Sequence, residues 1–211
     1  DAEVLDESGW LGRWLENKYP DFILNPPVEP PAIQIGGAGN LAFNNSEMVN
    51  MGVVVNNPEQ LARIAEDGQL YDPEDVPECY YGEQLGFVRT VANSTFKYAQ
   101  VIHEAYERAG NTVEYNSPLG RQFALIARLI KGGLKTKLFM VTLDGFDTHS
   151  AQNNRHPQLM RQLSQAVDQF YADLRAGQRD EDVLCISVSE FGRRIEQNAS
   201  GWGGRSGAPR V

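Results

Sequence analysis

The chain has 211 residues, enough for one sizeable hydrophobic core and short of what two full domains usually need. Hydrophobic residues make up 41% and charged residues 22%, the proportions of a globular chain rather than a disordered one. A net charge of −9 argues against nucleic acid or an anionic membrane as the principal partner, and no window approaches the roughly 18 apolar residues of a membrane span.

Nothing in the opening segment reads as a signal peptide. Starting at Asp1 rather than Met, the chain reads as a mature form or a fragment that a targeting sequence once preceded. The first periodic piece, GWLGRWLENKY (9–19), is short and amphipathic, and a proline-rich linker, NPPVEPP (25–31), follows it. AIQIGG (32–37) reads as a strand ended by glycines, and MGVVVNN (51–57) as a second, β-branched strand. Pro58 then opens a small helix, PEQLARIAEDG, and the acidic, proline-broken residues 71–82 read as loop.

From residue 84 the apolar period becomes helical. Leu85, Val88, Val91, Phe96, Ala99, Ile102 and Tyr106 define a helix over 84–109, stopped by Gly110. Ser117 and Pro118 open the next helix as N-cap and first helical residue, with a stripe of Leu119, Phe123, Ile126 and Ile130 and a Gly132-Gly133 stop. KLFMVTL (137–143) has no polar alternation, as expected of a parallel strand covered on both faces. A helix over 158–175 carries Leu159, Leu163, Val167, Phe170 and Leu174, and DVLCISVS (182–189) repeats the pattern of a doubly buried strand, with Cys185 as a buried small hydrophobe. Strand, helix and strand in that order imply a right-handed crossover joining parallel neighbours. The expected class is therefore α/β, a mostly parallel sheet flanked by helices.

That topology places two polar clusters, DGFDTH and SEFGRR, at the carboxyl ends of parallel strands, where open α/β sheets bind ligands. Two of the three histidines follow the first of those strands. Asp147 and His149 offer a carboxylate and an imidazole from one loop, a donor pair that zinc or manganese accepts, while magnesium takes the carboxylate. His156 precedes Pro157 and is expected at the N-cap of the following helix; a plain helix-entry role fits it equally. Asp144 ends the strand and can simply cap the turn. Glu190 can ligate a metal, act as a base or pair with Arg193, whose guanidinium can instead hold a phosphate or sulfate group. His103 reads as an ordinary packed helix residue, and Cys79 and Cys185 lack zinc spacing. Gly37-x-Gly39-x-x-Ala42 formally matches a dinucleotide fingerprint, but FNNSEMVNMG makes a poor crossover helix and no acid ends the next strand.

GFDTHSAQNNRHPQLMRQLSQAVDQFYADL followed by VLCISVSEFGRRIEQNASG resembles the bacterial family known as domain of unknown function 1501. SGWLGRWL, AIQIGG and YNSPLGRQFALIARLIKGGLKTKLFMVTL fit the same resemblance, which makes the chain one domain over 1–211, incomplete at both ends. The resemblance implies an alkaline-phosphatase-like core, kinship with phosphatases and sulfatases, and hydrolysis of a small anionic ester at divalent metal (zinc, manganese, magnesium or calcium). It also implies twin-arginine export and an extracytoplasmic location. Carried residue by residue, it makes Asp147, His149 and Glu190 metal-site positions, with His156 and Arg193 beside them. It names no nucleophile. The chain departs from the family pattern at Asp144, where Gly is usual, and at GWGGR (201–205), where the family carries Gly-Thr-Asp-His-Gly. The family's first glycine-rich motif belongs upstream of Asp1. The alternative implied by those departures is a non-catalytic extracytoplasmic module that keeps the fold.

Overall fold

In a computed structural model, residues 8–22, 25–37, 39–57, 63–64, 66, 68, 70–148 and 152–192 are described. The chain divides into two compact units, residues 1–110 with 128–141 and residues 111–127 with 142–211.

The first unit holds a three-stranded parallel sheet of order β2-β1-β3, formed by β1 (Ala32–Ile35), β2 (Gly52–Val55) and β3 (Leu138–Val141). Ala32 stands opposite Gly52 on one side and Leu138 on the other, and Ile35 stands opposite Val55 and Val141. The parallel α/β arrangement is as expected, with one exchange of roles. The doubly covered strand is β1, all four residues of which are buried, whereas β3 is half-buried throughout and shorter than its apolar run. Continuous hydrophobicity marks a strand able to be covered on both faces but does not say which strand lies central.

Helix α1 (Trp10–Lys18) rests on the segment Leu41–Asn44 through two glycines three residues apart. A Cβ at Gly9 would lie 2.1 Å from the Ala42 carbonyl oxygen, and one at Gly12 would lie 1.9 Å from that of Asn44. This close approach seats Leu15 beside Ala32, Phe43 and Met51 in a core that Leu138 and Met140 also cover. Glu16 locks the contact from the outside by accepting from the Ser46 hydroxyl at 2.5 and 2.6 Å. After β1, Gly36, Gly37 and Gly39 all take positive φ, and only a three-residue 3-10 turn, Leu41–Phe43, follows. The dinucleotide fingerprint therefore lacks the long helix whose N-terminus would receive a phosphate.

Helix α2 (Tyr80–Arg108) begins four residues before the apolar period does. Its first turns are held by the preceding acidic loop: Arg89 donates to the carbonyls of Asp72 (2.8 Å) and Asp75 (2.5 Å), and Asn93 bonds both backbone groups of Tyr71. Helix α3 (Pro118–Lys131) starts as its sequence dictates, with the Gly120 N–H donating to the Ser117 hydroxyl at 2.9 Å. It ends in a Schellman turn, in which Gly133 (φ 87°) and Leu134 donate to the carbonyls of Ile130 and Leu129. Gly132 also abuts the Ala105 carbonyl of α2, which a Cβ would meet at 1.9 Å. The expected helix at 58–68 falls largely outside the described residues.

In the second unit, α4 (Gln152–Ala176) packs Phe170 against Phe123 with ring centroids 4.8 Å apart. Its Asp173 is completely buried and accepts from Asn111 Nδ2 (2.7 Å), the Thr112 N–H (2.9 Å), the Thr112 hydroxyl (2.7 Å) and the Tyr115 hydroxyl (3.1 Å). A buried carboxylate is stable only when its oxygens are satisfied in this way. Burial and the neighbouring Asp173 carboxylate, which also accepts its hydrogen bond, push the Tyr115 phenol well above its usual range.

Two sequence expectations fail in this unit. Residues 182–189 form no strand: Asp182 closes a 3-10 turn, residues 183–189 have no regular structure, and Leu184, Ile186 and Val188 are 81, 70 and 77% exposed. Its backbone is pinned at its start, where Tyr171 donates to the Val183 carbonyl at 3.0 Å and accepts from the Cys185 N–H at 3.1 Å. An apolar run carries strand propensity but no pairing partner, and pairing is what makes a strand. Cys185 is correspondingly exposed rather than buried, and both cysteines are free thiols. The second failure is the start of α4. It begins at Gln152, not 158, so His156 lies inside the helix and Pro157 in its second turn. Pro157 lacks the N–H that this position would contribute to the helix, so α4 continues through it with one intrahelical hydrogen bond fewer.

Candidate functional site

The chain leaves β3 at Val141 and runs through an irregular loop, Thr142–Thr148, that folds back on the first turns of α4. Three local features set its course. Gly145 takes φ 101°, a conformation in which a side chain is strained. The Thr148 N–H donates to the Phe146 carbonyl at 2.8 Å, and Thr148 itself is buried. The Phe146 ring meets the His156 ring edge-on, at 5.9 Å and 79°.

Of the residues singled out from the sequence, the structure thus brings the Asp147 loop to His156. Asp147 and Asp144 are exposed on that loop, and His156 is half-buried against it. Placing His156 within the helix rather than at its cap puts the imidazole on the helix face that meets Phe146. Glu190 is exposed at the end of the unpaired 183–189 segment, beside the Ser189 hydroxyl that donates to the Phe191 carbonyl at 2.5 Å. The strand pairing expected to deliver Glu190 to the Asp147 loop is not formed among the described residues. His149 and Arg193 lie outside the described residues. Among the described residues, no three His, Cys, Asp or Glu side chains converge as a metal cage would require.

Arg155 also meets this loop. Its guanidinium lies beside Gly145, where a Cβ would stand 3.0 Å from Nη2 and 3.4 Å from Nε. A glycine ending a strand, followed ten residues later by an arginine in a helix, is too weak a pattern to announce that contact. Elsewhere, His103 is half-buried on α2, as an ordinary helix residue would be. A surface concavity of about 500 Å³ lined by Glu74, Val76, Pro77, Glu78 and Cys79 contains none of the predicted residues. No helix among the described residues is long and apolar enough to cross a membrane.

Residues 56–208 match the family described as "Protein of unknown function (DUF1501)", and the chain belongs to that family. The matched span includes Asp147, His149, His156, Glu190 and Arg193, and stops short of the GWLGRWL and AIQIGG segments. No curated protein and no solved structure matches the chain.

Proposed function

We propose that the chain is part of an exported, metal-dependent hydrolase of small phosphate or sulfate esters, built on an alkaline-phosphatase-like core to which the three-stranded sheet belongs. The observation that supports this reading is the edge-on contact of Phe146, the neighbour of Asp147, with the His156 ring of α4. Their chemistry suits a divalent ion: carboxylate oxygen and imidazole nitrogen are the donors that zinc and manganese share. Asp147, His149 and His156 would hold the ion, with Glu190 as a further carboxylate ligand. When bound, such an ion polarises the ester oxygen and offsets charge on the leaving group. Arg193 orients the anion through paired N–H donors, and no side chain of this chain is assigned as nucleophile.

A second reading, a non-catalytic extracytoplasmic module, is favoured by one feature: GWGGR at 201–205 carries neither the Asp nor the His of the family pattern it resembles. Hydrolysis of p-nitrophenyl phosphate and p-nitrophenyl sulfate, with each of zinc, manganese, magnesium and calcium, separates the two. The hydrolase reading expects turnover with at least one ion and a loss of about a hundredfold or more in Asp147→Asn, the scale on which removed catalytic groups act. Absence of turnover under every condition favours the module.

A further inference from the structure

Residues 70–82 carry four carboxylates, Asp72, Glu74, Asp75 and Glu78, and no Lys, Arg or His. All four acids are exposed, and none forms an ion pair among the described residues. The next cation along the chain, Arg89 of α2, donates to the main-chain carbonyls of Asp72 and Asp75 instead of to a carboxylate. Short-range bonds fix the course of the loop. The Glu74 N–H donates to the Asp72 carboxylate at 2.9 Å, the Val76 N–H to the Glu74 carbonyl at 2.8 Å and the Cys79 N–H to the Pro77 carbonyl at 2.8 Å. The concavity of about 500 Å³ formed there is lined by Val76, Pro77 and Cys79 together with Glu74 and Glu78. Immediately after Cys79, Tyr80 and Tyr81 open α2 and are 77 and 68% exposed, a large aromatic area for one helical turn to leave in water.

We propose that this concavity, with the first turn of α2, is a docking surface for an extended segment of another protein that carries Arg or Lys between apolar residues. The aliphatic stem of a long basic side chain suits Val76 and Pro77, while its charged head reaches the Glu74 and Glu78 carboxylates. The exposed tyrosine rings offer their faces to a neighbouring cation. Charge selects this occupant over others. A second copy docking on the same face would set these acids against one another, and nucleic acid or an anionic bilayer is repelled. A bare metal ion does not fit, because no three His, Cys, Asp or Glu side chains among the described residues converge to hold one. None of these residues belongs to the proposed hydrolase site.

The test is a nuclear magnetic resonance titration of the isotope-labelled 211-residue chain with the end-blocked peptide Leu-Arg-Leu-Arg, with Leu-Glu-Leu-Glu and Gly-Arg-Gly-Arg as comparisons. The expected result is saturable shifts of the amides of residues 74–81 with the first peptide, weaker binding of Gly-Arg-Gly-Arg and none of the acidic peptide. Affinity for Leu-Arg-Leu-Arg falls about three- to tenfold in the double variant Glu74→Gln, Glu78→Gln and in the double variant Tyr80→Ser, Tyr81→Ser, the scale of exposed ion pairs and cation–π contacts. Both double variants alter only exposed side chains, so their melting temperatures stay near the parent's. Equal binding of Gly-Arg-Gly-Arg, or parent-like affinity in either double variant, overturns the inference, since diffuse attraction to a chain of net charge −9 would then suffice. Shifts centred elsewhere, or none at about 5 mM peptide, also overturn it. Shifts of residues 74–81 that follow the concentration of the chain alone overturn it in favour of a second copy.

Discussion

Replacing Asp173 by Ala should cost the second unit about 3 kcal/mol, because four donors converge on one fully buried carboxylate. Hydrogen bonds to a charged acceptor contribute about 1.5–3 kcal/mol each, but the four do not simply add. Asn111 and Thr112 are exposed residues, and in the variant water can recapture the Asn111 amide and the Thr112 hydroxyl. The half-buried Tyr115 hydroxyl and the Thr112 N–H lose most, and two such losses give the figure of about 3 kcal/mol. The assay is urea unfolding at neutral pH followed by far-ultraviolet circular dichroism, because Trp10 and Trp14 report on the first unit while α4 dominates the helix signal of the second. With a slope near 2 kcal/mol per molar urea, the midpoint should fall by about 1.5 M. A fall of less than about 0.5 M would refute the view that Asp173 ties residues 111–115 to α4.

Three further outcomes follow from the same geometry. Tyr115→Phe should flatten the alkaline limb of the stability curve: a phenol raised in the folded state stabilises below its unfolded value of about 10 and loses that contribution as pH climbs above it. Tyr98, raised by burial and by Tyr19, keeps part of that limb in the variant, and pH-dependent urea midpoints measure the difference. Gly132→Ala should destabilise by roughly 2 kcal/mol or more through collision with the Ala105 carbonyl, whereas Gly133→Ala, in open space at φ 87°, should lose only about 1 kcal/mol by thermal melting. The double variant Leu184→Ser, Ile186→Ser should leave the urea midpoint within roughly 0.5 kcal/mol of the parent while lowering aggregation measured by light scattering, since both side chains are exposed.

Local signals in this sequence specify structure where they act locally. Ser117, Pro118 and the Gly132-Gly133 pair specify the start and end of α3 through hydrogen bonds within a few residues, and both appear as expected. AIQIGG and GVVV became parallel strands, since β-branched runs between turn residues need only a neighbour of the same kind. What went unread depends on partners distant in the chain. The run at 183–189 has the composition of a core strand, yet its neighbours decide whether it pairs, and none does so among the described residues. Pro157 reads as a helix boundary in the sequence, yet α4 runs through it from Gln152.

The candidate site divides in the same manner. The Asp147 loop and His156 are separated by a few residues and one turn, so their meeting follows from a short chain folding back on a helix. Glu190 follows the 183–189 segment, which pairs with no strand among the described residues. A lone Asp on an amphipathic helix has the sequence signature of a solvated residue, and only the donors that meet Asp173 from residues 111–115 distinguish it.

Metal stoichiometry tests the central claim most directly, measured by inductively coupled plasma mass spectrometry on the purified chain and its His149→Ala variant after identical metal exposure and desalting. The account predicts one or two divalent ions per parent chain and a clear reduction in the variant. No retained metal in either protein would contradict it and leave the Asp147 loop a solvated turn packed on α4.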